Sequence, residues 1–188
     1  MQAAVKKRLF NREEYHLMGE MGILKEKHIE LINGEIVNMS PIGSKHAAHV
    51  DKIVALFSQF IQGKAILRIQ SPFVLDSLSE PEPDVMLLQP RKDFYSDKHP
   101  GANDISLLIE VAQSSLDYDR EVKLPLYASA AIPEVWIVNL QDYVLEIYSH
   151  PKENAYAKKV VKKLGDEVHI NPLDISFNTS DLFIVSSE

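Results

Sequence analysis

Between residues 105 and 140 the chain reads ISLLIEV, then LDYDREVKLPLYASAA, then EVWIVNL, separated only by short polar stretches. The outer runs are short, apolar and rich in β-branched residues, as buried strands are. The middle one is amphipathic and stops at Ala131 and Pro133, as a helix would. Only a mixed fold accommodates that succession. Pro125 stands inside the helical stretch; it removes one backbone donor and should kink or loosen the turn before it.

The remaining segments extend the same plan. NREEYHLMGEMG offers Asn11 as a cap with Glu14 three residues on, the spacing of a capping box. In HIELINGEIVNM, Asn33-Gly34 sits between two apolar-rich arms and predicts a β-hairpin, because both residues tolerate the positive φ of a type I′ turn. From His46 to Ile61 the apolar residues recur at helical spacing, and Gly63 ends the run. AILRIQ, FVLD and DVMLL read as strands, YVLEIYSH pairs with EVWIVNL around Gln141-Asp142, and the tail adds short strands. The order predicts one domain over residues 1–188, α/β or α+β, with an N-terminal β-hairpin and helices packed on a sheet.

Composition narrows the chemistry. With 188 residues, 45% hydrophobic and 25% charged, the chain can bury one sizeable core. A net charge of -7 argues against a large basic nucleic-acid surface, though not against a local groove. The lysines of KKVVKK, 158–163, read as the solvated face of a strand. The chain has no cysteine, which excludes disulfides, thiolate metal sites and a cysteine nucleophile and fits a reducing compartment. The first residues lack the apolar core of a signal peptide and no stretch approaches a membrane span, so a cytoplasmic protein without a membrane partner is expected.

The candidate site begins with two acids. Asp84 shares a strand face with Met86 and Leu88, and Glu110 shares one with Leu108, because strand side chains alternate. If the two strands pair antiparallel, the start of the first lies beside the end of the second and the carboxylates converge. Each would then have a raised pKa unless a cation filled the gap. Oxygen donors without thiolates select magnesium, manganese or calcium. The connecting segment QPRKDFYSDKHPGAND is long for a hairpin loop, which favours a functional or mobile loop.

Lys123 lies on the helix face of Val122, Leu126, Tyr127 and Ala130. Its stem either covers apolar surface or carries an ammonium to the carboxylates. His46 falls near the centre of its helix's apolar stripe and His49 at the edge, and their H-x-x-H spacing without a third ligand does not make a zinc site. Glu30 and Glu35 flank the hairpin turn; one of them could reach the site, and alternation does not choose between them.

The series ELINGEIVNMSPIGSKH, PEPDV and LLIEVAQSSLDYDREVKLPLYASAAIPEVWIVNL resembles the Uma2 family over roughly residues 10 to 185. That resemblance implies a PD-(D/E)XK restriction-endonuclease-like core with a mixed central sheet flanked by helices. Pro83-Asp84 matches the PD and Glu110 the second acid. Ala112 stands where the motif has its lysine, which makes Lys123 the matching base, with Tyr127 one turn on, and His46 matches the histidine after MSP. Asn139 stands where the family often has aspartate, and Glu80 and Glu82 match no motif position.

What the resemblance implies is a magnesium- or manganese-dependent endonuclease acting on DNA. Asp84, Glu110 and the carbonyl of Val111 would hold the metal, Lys123 would stabilise charge or orient water, and His46 would orient a ligand or contact phosphate. Two rivals predict different behaviour: a nuclease-fold module that binds nucleic acid or a protein without cutting, and a hydrolase of a small phosphorylated substrate, which a pocket too narrow for a duplex would favour. A homodimer is also expected.

Overall fold

The computed structural model describes residues 6–26, 28–170 and 173–185. Helix α1, Arg12–Glu20, carries the capping box read from the sequence: Asn11 accepts from the Glu14 N–H at 2.8 Å, and Glu14 accepts from the Asn11 N–H at 3.1 Å. Strands β1, Ile29–Ile32, and β2, Glu35–Asn38, form the hairpin, with Asn33 and Gly34 at φ of 51° and 77° as a type I′ turn requires. Gly34 is needed twice over, because a Cβ there would stand 2.6 Å from the Leu9 Cβ.

After helix α2, Ser44–Ser58, a six-stranded sheet is assembled. Its strands are β3, Ile66–Ile69; β4, Val85–Leu88; β5, Ile105–Ala112; β6, Glu134–Asn139; β7, Val144–Lys152; and β8, Ala155–Lys163, hydrogen-bonded in that order. Every neighbouring pair is antiparallel except β5 and β6, which are parallel. Their crossover is the helical stretch read from the sequence. A further hairpin, β9, Glu167–Ile170, with β10, Ile175–Asn178, stands apart from the main sheet.

The central strands β4, β5 and β6 are buried on both faces. On one face Val50, Ile53 and Phe57 of α2, with Phe177 of β10 and Phe183, pack against Val85, Leu107, Ile109 and Trp136. On the other, Tyr127 and Leu116 of the crossover pack against Met86, Leu88, Leu108 and Ile137. Helix α2 stops at Ser58 rather than Ile61, with Phe60 exposed.

The crossover shows what Pro125 does. It consists of α3, Leu116–Tyr118, a π-helical turn over Asp119–Lys123, and α4, Leu124–Ser129. Pro125 has no N–H to continue the ladder and its ring would press on the carbonyl four residues back. The backbone widens instead, and the Leu124 N–H reaches the Asp119 carbonyl five residues away.

One expectation is corrected here and another stands. FVLD, 73–76, is no strand: Val74 makes an isolated bridge to Gly101 and Phe73 is a buried core residue of an irregular segment. KKVVKK lies in β8, the sheet's outer edge, with Lys158, Lys159 and Lys163 solvated as expected and Val161 exposed beside them.

Candidate active site

The antiparallel register of β4 and β5 pairs Val85 with Ile109, which sets Asp84 beside the end of β5. Asp84 Oδ2 accepts the Val111 N–H at 2.8 Å, and the Asp84 N–H points to Glu110 Oε2 at 3.4 Å. The two acids converge as their strand positions predict. Pro83 precedes Asp84 and fixes the entry of the chain into β4.

Lys123 joins them from the π-helical turn. Its Nζ lies 3.3 Å from Glu110 Oε1 and 2.9 Å from Glu30 Oε1, and the ammonium is buried. It therefore bridges Glu110 and Glu30 and makes no contact with Asp84. Tyr127, one turn further on, donates to Glu110 Oε1 at 2.6 Å. The structure also separates the two hairpin glutamates: Glu30 is buried at the site, whereas Glu35 is exposed and paired with Lys7. Glu30 Oε1 accepts the Glu82 N–H as well at 2.9 Å, while Oε2 is buried with no partner.

His46 reaches the same place from the first turn of α2, its Nε2 2.8 Å from Asp84 Oδ1. The hydrogen bond to Asp84 outweighs burial and raises its pKa above the ordinary imidazole value. The Val111 backbone adds a smaller upward pull, which only its carbonyl oxygen can exert. The expected burial order of the histidines is reversed. His49 is the fully buried one; its Nδ1 donates to the Lys45 carbonyl at 2.7 Å and its Nε2 accepts the Ile184 N–H at 3.0 Å, so both nitrogens are satisfied in a neutral ring. His46 instead faces a polar cavity, and helical phase does not tell a cavity from a core.

That cavity has a volume of about 310 Å³. Asp84, Glu110, Lys123 and His46 line it on one side, and the hairpin with the following segment Met39–Gly43 lines it on the other. Burial pushes Glu110 up to about 8 against the pull of Lys123, and pushes Asp119 up to about 6. Burial pulls Lys123 down, but Glu110, Glu30 and Asp119 together hold its pKa above the usual lysine value. The site is thus a set of carboxylates around one buried ammonium.

A family model described as "Putative restriction endonuclease" and named Uma2 matches residues 12–180. The chain belongs to the Uma2 family. Among solved structures it is similar to a protein of DUF820 from Anabaena variabilis, described as a "putative nuclease", at TM-score 0.67 and 15% identity, covering 88% of this chain and 96% of that one. No curated protein matches.

The geometry brings together residues that the resemblance named and others that it did not. Ala112, in the place of the motif lysine, is buried in the same apolar cluster as Leu116 and Tyr127. The sequence reading missed Asp119 and dismissed Glu82, yet both line the cavity. The signals were present: Asp119 precedes Lys123 by four residues, on one helical face, and Glu82 precedes Asp84 by two on an extended segment. Glu80 is a structural residue, its buried carboxylate held by Arg12 at 2.7 Å and by His16. Asn139 is buried and ties down the β6–β7 turn through Gln141 and Asp142, away from the cavity lining. The long segment between β4 and β5 leaves from the other end of β4, and none of residues 89–104 lines the cavity.

No group of three or more His, Asp or Glu side chains suited to a metal ion occurs among the described residues. The donor set that Asp84, Glu110 and the Val111 carbonyl offer is two carboxylates and one neutral oxygen. Magnesium suits such a set, since it uses one or two carboxylates and keeps several waters. The Asp84 oxygen that would face an ion now faces the His46 ring, as a cation acceptor would.

Proposed function

We propose that this Uma2 protein is a divalent-metal-dependent nuclease that hydrolyses phosphodiester bonds in DNA. The observation that carries the reading is the convergence of Asp84 and Glu110 at adjacent strand ends, in one cavity with Lys123 3.3 Å from Glu110 and His46 2.8 Å from Asp84. Asp84, Glu110 and the Val111 carbonyl would hold magnesium or manganese, which would supply charge for the scissile phosphate and lower the pKa of a bound water.

The chain's own residues do the rest. Lys123 and Tyr127 both donate to Glu110 Oε1, which fixes the carboxylate and leaves Oε2 turned toward Asp84. The Val111 N–H holds the other end of Asp84 in the same way. His46, 2.8 Å from Asp84 in the cavity wall, presents an imidazole ring from which a phosphate oxygen can accept a hydrogen bond. Cleavage of single-stranded DNA and of supercoiled plasmid with magnesium or manganese, by wild type and by Asp84→Ala, tests the proposal. Cleavage by the wild type alone is expected; none at all, or equal cleavage by both, would sink it.

A second reading, a nuclease-fold module that binds nucleic acid or a protein partner without cutting, is favoured by the engagement of Lys123 with two buried carboxylates. It predicts salt-sensitive binding that survives loss of Lys123 and yields no product. The proposal includes a cytoplasmic location and a homodimer. The open edge of β8 supplies one surface for association, and light scattering after gel filtration checks it.

A further inference from the structure

We propose that the strand to be cut enters this site unpaired, as single-stranded nucleic acid or a frayed end, and not as a continuous duplex. The inference rests on the nuclease reading and names its substrate class.

Depth is the first reason. The Glu110 and Lys123 side chains are 5% and 3% exposed, and Asp84 and His46 only 14% and 18%. The cavity of about 310 Å³ lies at the small end of small-molecule pockets, which begin near 300 Å³, and can take one nucleotide. A duplex phosphate lies on a broad convex cylinder whose major groove alone is about 12 Å wide. A scissile phosphate that must sink to that depth brings its nucleotide with it, which a continuous duplex would have to extrude at the cost of unstacking.

The second reason is the hairpin. The β1–β2 hairpin lines the cavity on one side and is tied to other lining residues through Glu30, with a further backbone bond beside the cavity. Glu30 binds Lys123 at 2.9 Å, the Glu82 N–H binds Glu30 at 2.9 Å, and the Glu80 N–H binds the Leu31 carbonyl at 2.8 Å. Lifting the hairpin to admit a duplex would separate a buried ion pair, which is strongly unfavourable.

Charge is the third. A duplex groove needs basic side chains spaced along the phosphates. Here Glu30, Glu82 and Asp119 share the lining with Lys123, His46 and His28, and the lysine-rich β8 lies three strands away from β5. One entering strand brings a single row of phosphates and exposes bases that the Tyr118 ring in the lining can stack on.

The test uses one end-labelled DNA sequence in three forms with manganese: single strand, blunt duplex, and duplex with a single-stranded tail. The single strand and the tail are expected to be cut at least about tenfold faster than the duplex. Ser114→Trp, which fills the mouth from an exposed lining position, should abolish that cutting without lowering thermal stability. Duplex cut as fast as single strand, or cutting indifferent to Ser114→Trp, overturns the inference. If the wild type cuts no form, the nuclease reading fails and binding decides the strand question. Anisotropy with Asp84→Ala then supports the inference if single strand binds more tightly than duplex and Ser114→Trp removes the difference. Equal or tighter duplex binding, or none to either, overturns it.

Discussion

Glu30 and Lys123 stand 93 residues apart in the chain and 2.9 Å apart in space, both buried. The pair joins the N-terminal hairpin to the β5–β6 crossover and, through Glu110, to the centre of the sheet. Desolvating an ion pair offsets much of its attraction, so its effect on stability is felt when one partner is removed and the other stays buried and charged.

Lys123→Ala should therefore destabilise the protein by about 3–5 kcal/mol, with Glu30→Gln costing less because the amide keeps an acceptor for the ammonium. Urea denaturation of both variants measures it. A Lys123→Ala cost below about 1 kcal/mol would mean that the pair is a surface-like bridge.

Stability should fall as pH rises from about 5 to about 8. Burial raises Glu110 and Asp119, to about 8 and about 6, so the folded state keeps protons that the unfolded state has already lost, and the slope is negative. His46, raised chiefly by its bond to Asp84, works the same way: its contribution is complete below the ordinary imidazole value and is lost above it. Below about pH 5 the trend reverses, because hydrogen bonds from Arg12 and His16 outweigh burial and hold Glu80 below the usual glutamate value. Unfolding free energies from urea titrations across this range should decline by about 1.4 kcal/mol per pH unit for each proton the folded state retains, and Glu110→Gln should flatten the alkaline half. A flat wild-type profile would contradict the buried carboxylates.

Manganese binding should tighten as pH rises from 6 to 8, up to about tenfold per unit if one proton leaves Glu110 on binding. Calorimetry in buffers of different ionisation heat would detect that proton. Asp84→Ala should abolish the heat of binding, and an unchanged heat in that variant would place the ion elsewhere.

Ala112→Lys restores the motif lysine in sequence but should not restore a site. The position is buried on the Tyr127 side of the sheet, and a lysine there should cost at least about 3 kcal/mol through overpacking and an unpaired charge. Thermal unfolding of Ala112→Lys, alone and with Lys123→Ala, checks this. Rescue of the double variant by the new lysine would show that Glu110 can also be served from position 112.

The sequence by itself determined what local chemistry can write. Asn11 with Glu14, and Asn33 with Gly34, fix their cap and turn through their own backbone bonds, so they were legible without a partner. The apolar runs of β4, β5 and β6 announced a doubly covered sheet, and period-two alternation placed Asp84 and Glu110 on the right faces. Pro125 announced a disturbance in the helix, but its form, a π-helical turn that turns Asp119 and Lys123 into one cavity, came from packing. Only the tertiary structure chose Glu30 over Glu35, exchanged the environments of His46 and His49, and returned Glu82 to the site. Each of those depends on what stands opposite the side chain, and a pattern along one chain records which way a residue faces, not whether it meets core, cavity or a charge from 93 residues away.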